Sequence, residues 1–74
     1  MRYYKIQFPP YNELRRRYLS YKNGMFRISG SPTIFSDEQI TNDIELIEYL
    51  KDKEYKLVFY ENRYHTLDYK RRES

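Results

Sequence analysis

The chain has 74 residues with no Cys, one His, ten Tyr, four Phe and a formal net charge of +3. A core of this length is expected to bury only about 60% of the unfolded surface. With no cysteine and a single histidine, neither a disulfide frame nor a Cys/His metal centre can staple it, so self-association or a partner is the expected substitute.

The charge is segmented. Residues 1–30 carry seven Lys/Arg against Glu13 alone, residues 31–54 carry two Lys against seven acids, and residues 55–74 carry five Lys/Arg against three acids. A basic start beside an acidic middle can complement itself within one fold or from copy to copy, so net charge alone does not specify nucleic acid. Met1-Arg2-Tyr3-Tyr4-Lys5 lacks the apolar stretch of a signal peptide, and no segment approaches the roughly 20 apolar residues of a membrane helix. The expected location is cytoplasmic, with no membrane partner.

Arg2 to Phe8 alternates, with Tyr4, Ile6 and Phe8 on one face and Tyr3, Lys5 and Gln7 on the other, which predicts a half-buried strand stopped by Pro9-Pro10. The next stretch has two readings. Tyr11, Leu14, Tyr18 and Tyr21 recur at helical spacing, with Pro10 fit for a first turn and Gly24 beyond the C-cap. The favoured alternative takes Asn23-Gly24 as a type I′ hairpin turn. It pairs Tyr21 with Phe26 and Leu19 with Ile28 on one face, and Lys22 with Met25, Ser20 with Arg27 and Tyr18 with Ser29 on the other. Gly30-Ser31-Pro32 then turns the chain into a short strand, Thr33 to Phe35.

Asn42 with Glu45 predicts a capping box at the start of the main helix, with Asp43 and Glu45 favoured by the helix dipole. Ile44, Leu46, Ile47 and Leu50 cover one arc, and the helix is expected to run to about Lys53. A second hairpin is predicted from Tyr55–Tyr60 and Tyr64–Tyr69. Its register sets Leu57, Phe59, His65 and Leu67 on a core face and Val58, Tyr60 and Tyr64 on an outer one, with Lys56 across from Asp68.

Candidate chemistry is sparse. His65 beside Phe59 reads as a packed core histidine, and Ser29, Ser31 and Ser36 have no base within sequence reach. Asp43 with Glu54-Tyr55-Lys56 has the spacing of a metal-dependent nuclease, but Asp43 falls at a helix start instead of an adjoining strand. Two binding surfaces remain. Val58, Tyr60 and Tyr64 form an outer apolar patch fit for a protein partner, because tyrosine offers broad contact area with little side-chain entropy to lose. Arg15-Arg16-Arg17, interleaved with Tyr11, Tyr18 and Tyr21 and joined by Arg71 and Arg72, combines phosphate-neutralising guanidinium groups with stacking rings, the recipe for nucleic-acid contact.

The run Phe26-Arg-Ile28-Ser-Gly30-Ser-Pro32-Thr-Ile34-Phe35-Ser-Asp37-Glu38, followed by Glu48-Tyr-Leu-Lys51, resembles the strand, Gly-x-Pro turn, strand and acidic-capped helix of small phage-encoded virion accessory proteins. The resemblance implies a structural or accessory protein working by contact, and a virion-associated location if the origin is a phage.

The sequence therefore predicts a small α+β domain over residues 1–69 with a short charged tail at 70–74. Its sheet is antiparallel, flat or bent into an open barrel, with one main helix at about 43–53. The expected role is a non-enzymatic protein-interaction or structural module without cofactor or small-molecule substrate. Nucleic-acid binding through the arginine segment is the alternative.

Overall fold

Alternation along Tyr3–Gln7 makes the first strand, β1, and buries Ile6 and, just beyond it, Phe8, while Lys5 and Gln7 point the other way. The computed structural model describes residues 2–12 and 14–60. In chain order the remaining elements are β2 (Tyr18–Lys22), β3 (Met25–Ser29), β4 (Phe35–Ser36), α1 (Asp37–Asn42), α2 (Ile44–Leu50) and β5 (Lys56–Tyr60). The predicted α+β class is the one observed. Among the described residues the five strands form one antiparallel sheet that does not close into a barrel.

The choice between helix and hairpin at residues 11–22 falls to the hairpin. β2 and β3 pair in the register Tyr18↔Ser29, Leu19↔Ile28, Ser20↔Arg27, Tyr21↔Phe26 and Lys22↔Met25. Asn23 (φ 53) and Gly24 (φ 75) supply the two left-handed residues that a type I′ turn requires. Before β2 the chain is folded back by Asn12, whose Oδ1 accepts from the backbone N–H groups of Leu14 at 3.0 Å and Arg15 at 2.9 Å. The Phe8 N–H donates to the Arg17 carbonyl at 2.8 Å, joining the end of β1 to the approach to β2.

β1 is the hub. β5 pairs along its whole length, from Tyr3↔Tyr60 to Gln7↔Lys56. A strand has two edges, so β2, at Gln7↔Tyr18, and β4, at Tyr3↔Ser36 and Tyr4↔Phe35, share the opposite one. The core is Ile6, Phe8, Leu19, Phe35, Leu46 and Leu50, with Tyr21, Phe26, Ile40 and Tyr49 against it. Each such side chain fully removed from water contributes roughly 1.5–3 kcal/mol of transfer free energy. Phe26 lies between Tyr21 and Tyr49, both ring centroids 4.9 Å away, which docks the helices over β2 and β3.

The helical segment departs from expectation in three ways. The helix expected to begin at Asn42 begins one residue later: Asp43, not Asn42, caps it, with its Oδ1 accepting from the Leu46 N–H at 3.2 Å. The helix itself ends at Leu50 rather than about Lys53. A preceding helix, α1, was not expected, and Asn42 is its last residue. A true capping box starts α1: the Gln39 N–H donates to Ser36 Oγ at 3.1 Å, and the Ser36 N–H donates to Gln39 Oε1 at 2.9 Å. Asp43, in extended backbone at φ −79 and ψ 112, ends one helix and caps the next, so the two cannot merge. The short strand predicted at Thr33–Phe35 is displaced to Phe35–Ser36.

A further correction concerns β5. Leu57 and Phe59 do share a face with Ile6 and Tyr4, their partners across β1, but they are not core: Leu57 is 42% exposed and Phe59 55%. The helices pack over β1, β2 and β3 and leave this strand uncovered by them; among the described residues the Phe59 ring meets the Tyr4 ring edge-on at 6.1 Å. The strand predicted from Tyr64 to Tyr69, with Tyr64, His65, Thr66, Leu67 and Asp68, and the tail at 70–74 lie outside the described residues.

Candidate functional site

The face of the sheet turned away from the helices carries the other half of each alternating strand. Lys5 and Gln7 of β1, Tyr18 of β2 and Lys56 of β5 share it, because Gln7 is the direct partner of both Tyr18 and Lys56. The connection over residues 9–17 rises beside them. Together Lys5, Gln7, Tyr11, Asn12, Arg16, Tyr18 and Lys56 line an open cleft of about 370 Å³.

Three of the lining side chains are cations, two are tyrosines and two are amides, and no carboxylate lines it among the described residues. The cations and rings are interleaved. Lys56 Nζ lies over the Tyr11 ring, 4.6 Å from its centroid, and Lys5 Nζ over the Tyr18 ring at 5.5 Å. The Tyr11 hydroxyl donates to Glu54 Oε2 at 3.5 Å. Partial desolvation, and then the charge and hydrogen bond of Glu54, raise the Tyr11 phenol above its ordinary value of 10.0, so it stays a neutral donor.

Most of the acidic middle of the chain falls on the other side of the molecule, Glu54 beside Tyr11 being the exception. Asp37, Glu38, Glu45, Glu48 and Asp52 are exposed on or beside α1 and α2, which pack against the opposite face of the sheet. The segmented charge of the sequence thus becomes largely two-sided among the described residues, with the cationic cleft behind the sheet and five carboxylates on or beside the helices. A field of this kind steers an anion to one face.

Of the predicted nucleic-acid residues, Tyr11, Arg16 and Tyr18 are brought together in the cleft, while Tyr21 packs against the core. Arg15 is exposed and does not line it, and the Arg17 guanidinium donates to the Pro9 carbonyl at 2.8 Å. The three consecutive arginines therefore go to different places and do not act as one patch. Arg71 and Arg72 lie outside the described residues. Lys5, Gln7 and Asn12 were not singled out from sequence, and Lys56 only in the nuclease-like spacing and opposite Asp68; the signal for the first two was their place on the polar side of β1. Nothing local placed Lys56 in this cleft, because its pairing with β1 crosses most of the chain.

Of the predicted protein-contact residues, Val58 and Tyr60 are half-buried, opposite Lys5 and Tyr3, and Tyr64 lies outside the described residues. The exposed apolar side of β5 is the one bearing Leu57 and Phe59. Asp43 and Glu54, the carboxylates of the nuclease-like spacing, are committed elsewhere, Asp43 as a helix cap and Glu54 to Tyr11. Among the described residues no three His, Cys, Asp or Glu side chains gather into a metal-holding group, and no helix is long and apolar enough to cross a membrane. Comparison with family models, with characterised proteins and with solved structures yields no match, so the functional reading rests on this geometry.

Proposed function

We propose that this chain is a non-enzymatic binding module that holds nucleic acid on the open face of its sheet. One observation carries the reading: Lys5 from β1, Arg16 from the 9–17 connection and Lys56 from β5 converge on a single cleft with the rings of Tyr11 and Tyr18. Cations attract phosphate without regard to sequence, and tyrosine rings accept any base, so the combination supports sequence-tolerant binding. Gln7 and Asn12 add amide donors and acceptors within the same cleft. The test is fluorescence anisotropy of a labelled oligonucleotide at low salt with the native chain and with Lys5→Ala/Arg16→Ala/Lys56→Ala. Saturable binding lost in the triple variant supports the reading, and absence of binding by the native chain at low salt refutes it.

A second reading has its own observation. Leu57 and Phe59 are large apolar side chains left exposed on the helix-side face of β5, which favours contact with a second copy of the chain. That surface and the cleft occupy opposite faces of β5, so the two roles are compatible. Action by contact alone is also what the resemblance of residues 26–50 to small phage-encoded accessory proteins implies.

A further inference from the structure

We infer that the nucleic acid taken by this face is single-stranded, and that Tyr11 and Tyr18 are its base-stacking platforms, each paired with the lysine that meets the phosphate of the same nucleotide. The inference rests on the nucleic-acid reading of the cleft and narrows it. Each platform is a pair: Lys56 with Tyr11 at 4.6 Å and Lys5 with Tyr18 at 5.5 Å. In the free protein each ammonium covers the face of its ring, so a base that stacks there displaces the lysine to the side, within reach of the phosphate of the same nucleotide. Two such pairs lie in one cleft with Arg16 beside them, one pair for each of two nucleotides.

A duplex does not fit this arrangement. Its bases are stacked on each other with only their edges presented in the grooves, and grooves are entered by a protruding helix or ribbon. Here the aromatic groups line a concavity, within the roughly 300–1,000 Å³ range of small-ligand clefts. A duplex could lay phosphates against Lys5 and Lys56 but could not bring a base face to either ring. A single strand can turn its bases inward. The cost of drawing each lysine from its ring is small, because an exposed cation–π contact is weak beside a charge-assisted bond to phosphate.

The experiment compares four labelled probes of equal length by anisotropy on the full chain: oligo-dT, oligo-rU, a DNA duplex and a strand of abasic sites. The native chain is expected to bind the base-bearing single strands at least about tenfold more tightly than the duplex or the abasic strand. The dT and rU arms distinguish the sugar. Tyr11→Leu and Tyr18→Leu should each weaken oligo-dT by about five- to a hundredfold and leave the abasic strand unchanged. Tyr11→Phe and Tyr18→Phe, which keep the ring, should restore oligo-dT binding to within about twofold of native, and unchanged abasic-strand affinity shows that the Leu variants are folded. Equal affinity for duplex and single strand, or a Leu variant that weakens abasic and base-bearing strands alike, overturns the stacking inference while phosphate binding stands. Failure of every probe to bind at low salt overturns the inference together with the function it narrows.

Discussion

The salt dependence of binding measures how many cations of the cleft meet phosphate, and it can be taken apart residue by residue. For a single strand the slope of log affinity against log salt is about −0.7 per neutralised phosphate, so Lys5, Arg16 and Lys56 together predict about −2.1. Between about 50 and 200 mM salt that slope lowers affinity about 20-fold. Changing any one of the three to Ala should bring the slope to about −1.4 and the same salt step to about sevenfold. The control is Lys51→Ala. Lys51 lies at the end of α2 on the helical side, 3.9 Å from Glu48, so its removal changes net charge equally but leaves the cleft intact. Anisotropy titrations with oligo-dT at four or more salt concentrations give each slope. If Lys51→Ala flattens it as much as Lys5→Ala does, binding follows net charge and not the cleft, and the placement of phosphate on the open face is wrong.

Three other outcomes test the fold on which the site depends. Asp43→Ala removes the cap of α2 and should cost about 1 kcal/mol in urea denaturation, whereas Asn42→Ala, once the expected cap, should cost less. Leu19→Ala in the core should cost roughly 2–5 kcal/mol; Phe59→Ser should cost about 1 kcal/mol or less, and should lower any self-association seen by light scattering. A large loss of stability with Phe59→Ser would mean that this ring is core after all. Because the folded state holds the Tyr11 proton more tightly than the unfolded chain, its contribution is full below pH 10 and is lost as pH rises through the raised value. Tyr11→Phe should therefore show a shallower fall in melting temperature above pH 10 than the native chain, and parallel curves would contradict the Glu54 contact.

What could be read from the residues alone was local. Asn23-Gly24 admits one hairpin register, because a two-residue turn leaves no slack and a slip by one would send Leu19 and Tyr21 to the wrong face; the register found is the one expected. The faces of β1 likewise followed from alternation, with Ile6 and Phe8 inward and Lys5 and Gln7 outward. Local signals also misled by one residue where they competed. Asn42 and Asp43 are both good caps, and the Ser36/Gln39 box that starts α1 left only room for Asp43. α1 itself was missed because Asp37–Asn42 contains one apolar residue, Ile40, and so has no periodicity. Tertiary structure alone decided the rest. The pairing of β5 with β1 joins residues about 50 positions apart, and no neighbouring pattern encodes it. That pairing brings Lys56 beside Lys5 and Gln7. The helices' choice of β1 to β3 as their seat leaves Leu57 and Phe59 in water although their pattern is that of a core strand. A strand's alternation states which side chains share a face, but whether that face is covered depends on what packs there, and the cleft exists only because three distant segments meet on the side the helices leave open.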